Sequence, residues 1–81
     1  MRATAYERDA ARRRGRSLAR ADVTRLEEAI RDAAYALESA SAAEYLNPTG
    51  DTAEIEAAER QMDRLEGELR RAQAALAHFA P

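Results

Sequence analysis

The chain has 81 residues, with 13 arginines, 15 acidic residues and a formal net charge of −2. Folding buries only about 60% of the surface of a chain this short, so it forms one small, marginally stable domain at most. Cysteine is absent and histidine occurs once, which excludes disulfides and the usual thiolate and imidazole metal sites.

The composition favours helix and offers no membrane segment. Alanine, the best helix former, supplies 21 of the 37 apolar residues. All 13 basic residues are arginine, and an Arg- and Ala-rich, lysine-free chain is typical of a GC-rich bacterial or phage genome. No apolar run approaches the roughly 18 residues that span a bilayer, and no apolar segment follows the N-terminal charges as a secretory signal requires. We therefore predict a cytoplasmic protein, or one within a phage particle, without membrane contact.

The first 20 residues are strongly basic. They hold seven arginines and two acids, a net +5, whereas residues 21–81 hold six arginines and 13 acids, a net −7. We predict that residues 1–16 form an Arg-rich arm or a helical extension, and that residues 17–81 form a helical hairpin. Arginine pairs with phosphates and with carboxylates, so this segment suits nucleic acid or an acidic protein surface. Its candidate binding residues are Arg8, Arg12, Arg13, Arg14 and Arg16.

A first helix is predicted over about 17–46. Ser17 or Thr24 would be its N-cap, and Thr24 with Glu27 fits a capping box. The helix ends at Asn47 because the residue before proline is disfavoured in the α conformation. Its apolar seam follows the 3-4 spacing of heptad positions a and d but loses register at Glu44. The seam residues are Val23, Leu26, Ile30, Ala33, Leu37 and Ala40.

Residues 47–50 predict a tight turn, and Asp51 with Glu54 predicts the start of a second helix over about 51–80. Its apolar residues keep a heptad spacing for about three and a half repeats, and the short connection favours antiparallel neighbours. The fold class is therefore all-α: an antiparallel, coiled-coil-like two-helix hairpin with a basic N-terminal extension. The second seam consists of Ile55, Ala58, Met62, Leu65, Leu69, Ala72, Leu76 and Phe79.

Two features of this hairpin suggest a partner. If the chain folds back near residue 48, Leu26 faces Ala72, Pro81 lies opposite Arg16, and residues 1–16 project beyond the second helix. The first helix also carries an apolar stripe away from its seam, which a two-helix hairpin leaves exposed. We interpret this stripe as a protein interface, since tyrosine is enriched there; ordinary surface residues are the alternative. The stripe consists of Tyr35, Ala42, Tyr45 and Leu46.

The sequence has no pattern typical of catalysis. His78 is the only histidine, so a nucleophile triad lacks its usual base, and the three glycines are isolated rather than grouped in a phosphate-binding loop. We predict that the protein is not an enzyme and that it has no cofactor, metal or small-molecule substrate.

Three functions fit this pattern. The first is a non-catalytic adaptor or structural subunit, such as a small phage or mobile-element component, which assembles with itself or another protein into a helical bundle or larger complex. The second is a nucleic-acid accessory protein that uses the Arg-rich arm. The third is an inhibitor whose acidic second helix mimics phosphates toward a nucleic-acid enzyme.

Overall fold

The computed structural model describes residues 3–79 as two helices joined by one turn. Helix α1 spans Ala5–Leu46 and helix α2 spans Ala53–His78. Arg16 of α1 contacts Phe79 at the end of α2, so the helices run antiparallel in a rod with extents of 65 × 19 × 15 Å. The all-helical, two-helix prediction is confirmed. Arg2 of the predicted arm, the predicted helix end near residue 80 and the expected position of Pro81 lie outside the described residues.

Helix α1 begins at Ala5, twelve residues earlier than the first predicted cap. Thr4 is the N-cap: its hydroxyl accepts a bond from the Glu7 amide at 3.1 Å, and the Glu7 carboxylate accepts one from the Thr4 amide at 3.4 Å. The caps predicted at Ser17 and Thr24 are both wrong, because both residues lie inside the helix. Thr24 donates its hydroxyl to the Arg20 carbonyl. The extension is helical because alanine and arginine favour helix and Gly15 alone costs only about 1 kcal/mol.

Glu44 closes the turn between the helices. Its carboxylate accepts hydrogen bonds from the Thr49 amide, the Thr49 hydroxyl and the Gly50 amide, each at 2.8 Å. The bond from Gly50 is the largest of the effects that hold the pKa of Glu44 below its ordinary value of 4.5. Gly50 has a φ of 79°, in the left-handed region that favours glycine. The residue that interrupts the apolar seam therefore fixes the turn.

Helix α2 begins at Ala53, two residues later than predicted. Thr52 is the N-cap and makes no side-chain capping bond. The Asp51 carboxylate instead accepts a bond from the Ala53 amide at 3.0 Å, as in an Asx turn. The non-helical connection thus covers residues 47–52 rather than 47–50.

The core between the helices is small. Within residues 3–79 only Leu26, Leu65 and Ala72 are buried, and Leu26 is 2% exposed. Burying one leucine contributes roughly 1.5–3 kcal/mol, so three residues supply little stability. The remaining seam residues are half-buried along the line between the helices: Val23, Ile30, Ala33, Leu37 and Ala40 on α1, and Ile55, Ala58, Met62, Leu69, Leu76 and Phe79 on α2.

Candidate interaction surfaces

Helix α1 extends beyond its last described contact with α2. The Arg16 guanidinium donates a hydrogen bond of 2.7 Å to the Phe79 carbonyl, and the Phe79 ring covers Gly15 so closely that a methyl group there would lie 2.7 Å from Cε1. Residues 5–14, which we call the basic tip, continue for about 15 Å past this contact. The tip is a helix whose side chains are exposed except for Ala10, which is half-buried.

The predicted arginine cluster divides into two roles. Arg16 is half-buried and joins the helices through the Phe79 carbonyl. The other four candidates, all exposed on the tip, have no carboxylate of residues 3–79 within ion-pair distance, since the ion pair in this range is Arg25 with Asp22. They are Arg8, Arg12, Arg13 and Arg14. Their charges are available to a ligand or partner.

The arginine spacing works against an isolated helix. Arg8, Arg12, Arg16 and Arg20 follow one another at i,i+4, where like charges destabilise a helix by about 0.2–0.5 kcal/mol per pair. They also lie toward the positive end of the α1 dipole. Arg20 was not among the predicted binding residues, although this spacing is readable from the sequence.

Two apolar residues near the tip were also missed. Tyr6 and Leu18 are each at least 73% exposed. Leu18 borders a shallow furrow together with Ala10, Arg13, Arg14 and Ser17. The tip therefore combines positive charge with uncovered apolar surface, as protein interfaces do.

The opposite end of the rod is acidic. Residues 32–59 contain seven acids and no basic residue, and they include the turn and the parts of both helices next to it. We call this segment the acidic turn end. Its acids are Asp32, Glu38, Glu44, Asp51, Glu54, Glu56 and Glu59. The hairpin thus has opposite charge at its two ends.

The predicted stripe lies at the acidic turn end. Tyr35, Tyr45 and Leu46 are each at least 73% exposed, and Ala42 is exposed beside them. On a regular helix Ala42 and Leu46 lie within about 20° of Tyr35, whereas Tyr45 lies about 80° to one side. The four residues form a broad patch outside the seam rather than a narrow line.

Comparisons with other proteins assign no family to these surfaces: the chain matches no known family model, curated protein or solved structure. Residues 3–79 place no group of three His, Asp or Glu side chains where it would hold a metal ion. Neither described helix has the combination of length and apolar character needed to cross a bilayer. The candidate site therefore consists of the basic tip and the patch around Tyr35.

Proposed function

We propose that the protein is a non-catalytic assembly protein, an adaptor or structural subunit, that binds a protein partner through the basic tip. One observation carries the proposal: residues 5–14 form a helix beyond the contact with Phe79, with Arg8, Arg12, Arg13 and Arg14 exposed and unpaired among the described residues. Most of the stability of a protein helix comes from the packing of its apolar face, and this exposed end of the 42-residue α1 has little such packing among residues 3–79. A partner surface would stabilise both the helix and its charges.

The chemistry of the tip favours protein as the partner. Tyrosine and arginine are among the residues most enriched at energetically important positions of protein interfaces, and Tyr6 and Arg13 are exposed on the same face of the tip. The small core points the same way, since Leu26, Leu65 and Ala72 are the only buried residues in the described part of the chain. Association would cover apolar surface that the hairpin leaves in water.

Affinity capture from an extract of the source cells, after nuclease treatment, tests this function. We expect a protein bound in defined stoichiometry, which replacing Arg12, Arg13 and Arg14 with alanine removes. The matched control replaces three exposed arginines outside the basic end, namely Arg31, Arg60 and Arg64, and should retain the partner. A chain that neither self-associates nor retains a nuclease-resistant partner would contradict the proposal, as would equal binding by both variants.

Nucleic-acid binding is the second candidate function. The supporting observation is that the acidic turn end lies at the other end of a 65 Å rod, so its charge is screened from a phosphate backbone at the tip. The affinity for an oligonucleotide can be measured by fluorescence anisotropy at several salt concentrations. For each phosphate contacted, the logarithm of the binding constant should fall by about 0.7–0.9 per tenfold rise in salt concentration. Alanine at Arg12, Arg13 and Arg14 should flatten this dependence. No salt dependence in the unaltered protein would exclude the function.

A further inference from the structure

We propose that the partner of the basic tip is the acidic turn end of a second copy, so that two hairpins associate antiparallel as a closed dimer of four helices. This inference rests on the proposed function and names its partner. It joins three observations: the charge separation along the rod, the shared flank that carries the exposed aromatic residues, and the surface area of the chain.

The hairpin places like charges together at both ends. The tip lies toward the α2 end that carries Arg70 and Arg71, and at the turn the acids of α1 lie near Glu54, Glu56 and Glu59 of α2. In α2 the acids near the N-terminus and the arginines near the C-terminus agree with the helix dipole, whereas α1 has the opposite order. The charge order of α1 therefore does not serve the stability of that helix. It does complement a helix that runs the other way.

An antiparallel second copy satisfies both ends at once. Each basic tip then meets the acidic turn end of the other copy, and the two contacts are identical by two-fold symmetry. A head-to-tail arrangement would leave one basic and one acidic end unmatched in every finite chain and would grow as a filament. Charge complementarity thus favours the closed dimer.

The exposed aromatic residues lie where this dimer needs them. Heptad positions b, e and f are neighbours on the helix surface and form one flank of α1 beside the seam. If the two α1 helices overlap fully, positions whose numbers add to about 51 are adjacent, because α1 spans Ala5–Leu46. Tyr6 then lies beside Tyr45 of the second copy, and Arg13 beside Glu38. The flank residues used in this pairing are Tyr6, Arg13, Glu38 and Tyr45.

The surface area of the chain is sufficient for such an interface. A compact globule of 9.0 kDa exposes about 4,900 Å² by the general scaling of surface with mass, whereas this chain exposes 6541 Å². The excess is about 1,600 Å² for each copy. Stable protein interfaces bury about 1,200–2,000 Å² in total, so each hairpin has more uncovered surface than its share of a standard interface.

A charge-swap experiment tests the dimer. One variant carries Arg13→Glu and the other carries Glu38→Arg; each change improves the charge order of α1, so both variants should stay helical. By light scattering at low salt, we expect the unaltered chain at twice 9.0 kDa and each variant alone with dimerisation weakened at least about 100-fold. Mixing the variants should restore the dimer, because both ends are then complementary. A mixture that stays monomeric would overturn the proposal.

The orientation has a separate readout, because the chain contains no natural cysteine. Mixed Tyr6→Cys and Tyr45→Cys variants should form a disulfide-linked dimer on oxidation, whereas each variant alone should not. A cross-link in Tyr6→Cys alone would indicate a parallel dimer and would refute the arrangement. A monomeric, unaltered chain that still captures another protein through its tip would refute the second copy as partner while leaving the proposed function intact.

Discussion

The two helical glycines provide a paired test of how α2 packs on α1. A methyl group at Gly15 would lie 2.7 Å from Cε1 and 2.8 Å from Cζ of Phe79. At Gly67 the same methyl would meet Arg71 Nη1 at 3.6 Å and Arg70 Nη2 at 3.8 Å, which are ordinary contacts. The same substitution should therefore have different effects at the two positions.

The magnitudes follow from these distances. Alanine is about 1 kcal/mol better than glycine inside a helix, so Gly67→Ala should raise the free energy of unfolding by about that amount. For a domain of this size, 1 kcal/mol corresponds to about 4–8 °C in Tm. At Gly15 the Phe79 ring must move by roughly 1 Å to reach a normal carbon–carbon distance. We expect the lost packing to cancel the helical gain, which leaves Gly15→Ala neutral or destabilising.

Thermal and urea unfolding, followed by circular dichroism at a fixed protein concentration, measure both effects. Phe79→Ala provides the control: in that background Gly15→Ala should stabilise as much as Gly67→Ala, giving a coupling energy of about 1 kcal/mol in the double-mutant cycle. Equal stabilisation by both glycine substitutions in the unaltered chain would show that Phe79 does not pack on Gly15, and the described end of the hairpin would be wrong.

Four further results are expected. Leu26→Ala should lower the free energy of unfolding by about 2–5 kcal/mol in urea titrations, because Leu26 is 2% exposed between the helices. Tyr35→Ser combined with Tyr45→Ser should weaken association in sedimentation experiments while far-UV circular dichroism stays unchanged, since both side chains are exposed; unchanged association would exclude the patch. The folded-state pKa of Glu44 is lowered, so the Glu44 carboxylate contributes stability above the ordinary pKa of 4.5, and this contribution is lost as the pH falls through the lower folded-state pKa. Glu44→Ala should remove this part of the pH dependence of the free energy of unfolding, measured by urea titration at several pH values. Thr4→Ala should cost about 1 kcal/mol of helix stability, seen as lost helical signal from the tip in NMR chemical shifts rather than as a change in the core; retained tip shifts would show that the cap is dispensable.

The seam positions could be read from the sequence because a 3-4 spacing of apolar residues reports which face of a helix is covered. Every proposed seam residue is half-buried or buried in the structure. The start of α1 could not be read this way, because the apolar repeat begins near Val23 and says nothing about residues 5–16. There the helix depends on a cap at Thr4 and on alanine and arginine propensity. Thr4 and Glu7 have the same spacing as Thr24 and Glu27, and the pattern alone does not distinguish them.

The candidate surfaces were only partly readable. The arginine cluster and the patch around Tyr35 follow from composition and helical spacing. The role of Arg16 required the structure, because its bond to the Phe79 carbonyl joins residues far apart in sequence. The hydrogen bonds that Glu44 accepts from the Thr49 and Gly50 amides depend on the backbone geometry of the turn, which no periodic pattern reports. The acidic turn end becomes one surface only after the fold brings the two sides of the turn together.

Hydrogen exchange of the tip amides tests the central claim most directly. The claim is that residues 5–14 lack sufficient contacts within their own chain and are stabilised by association. In a dilute, monomeric sample these amides should exchange nearly as fast as an unfolded peptide, while the amides around Leu26 and Leu65 stay protected. Raising the protein concentration should protect the tip and residues 35–46 together. Tip amides in the monomer that are as protected as those of the core would contradict the account.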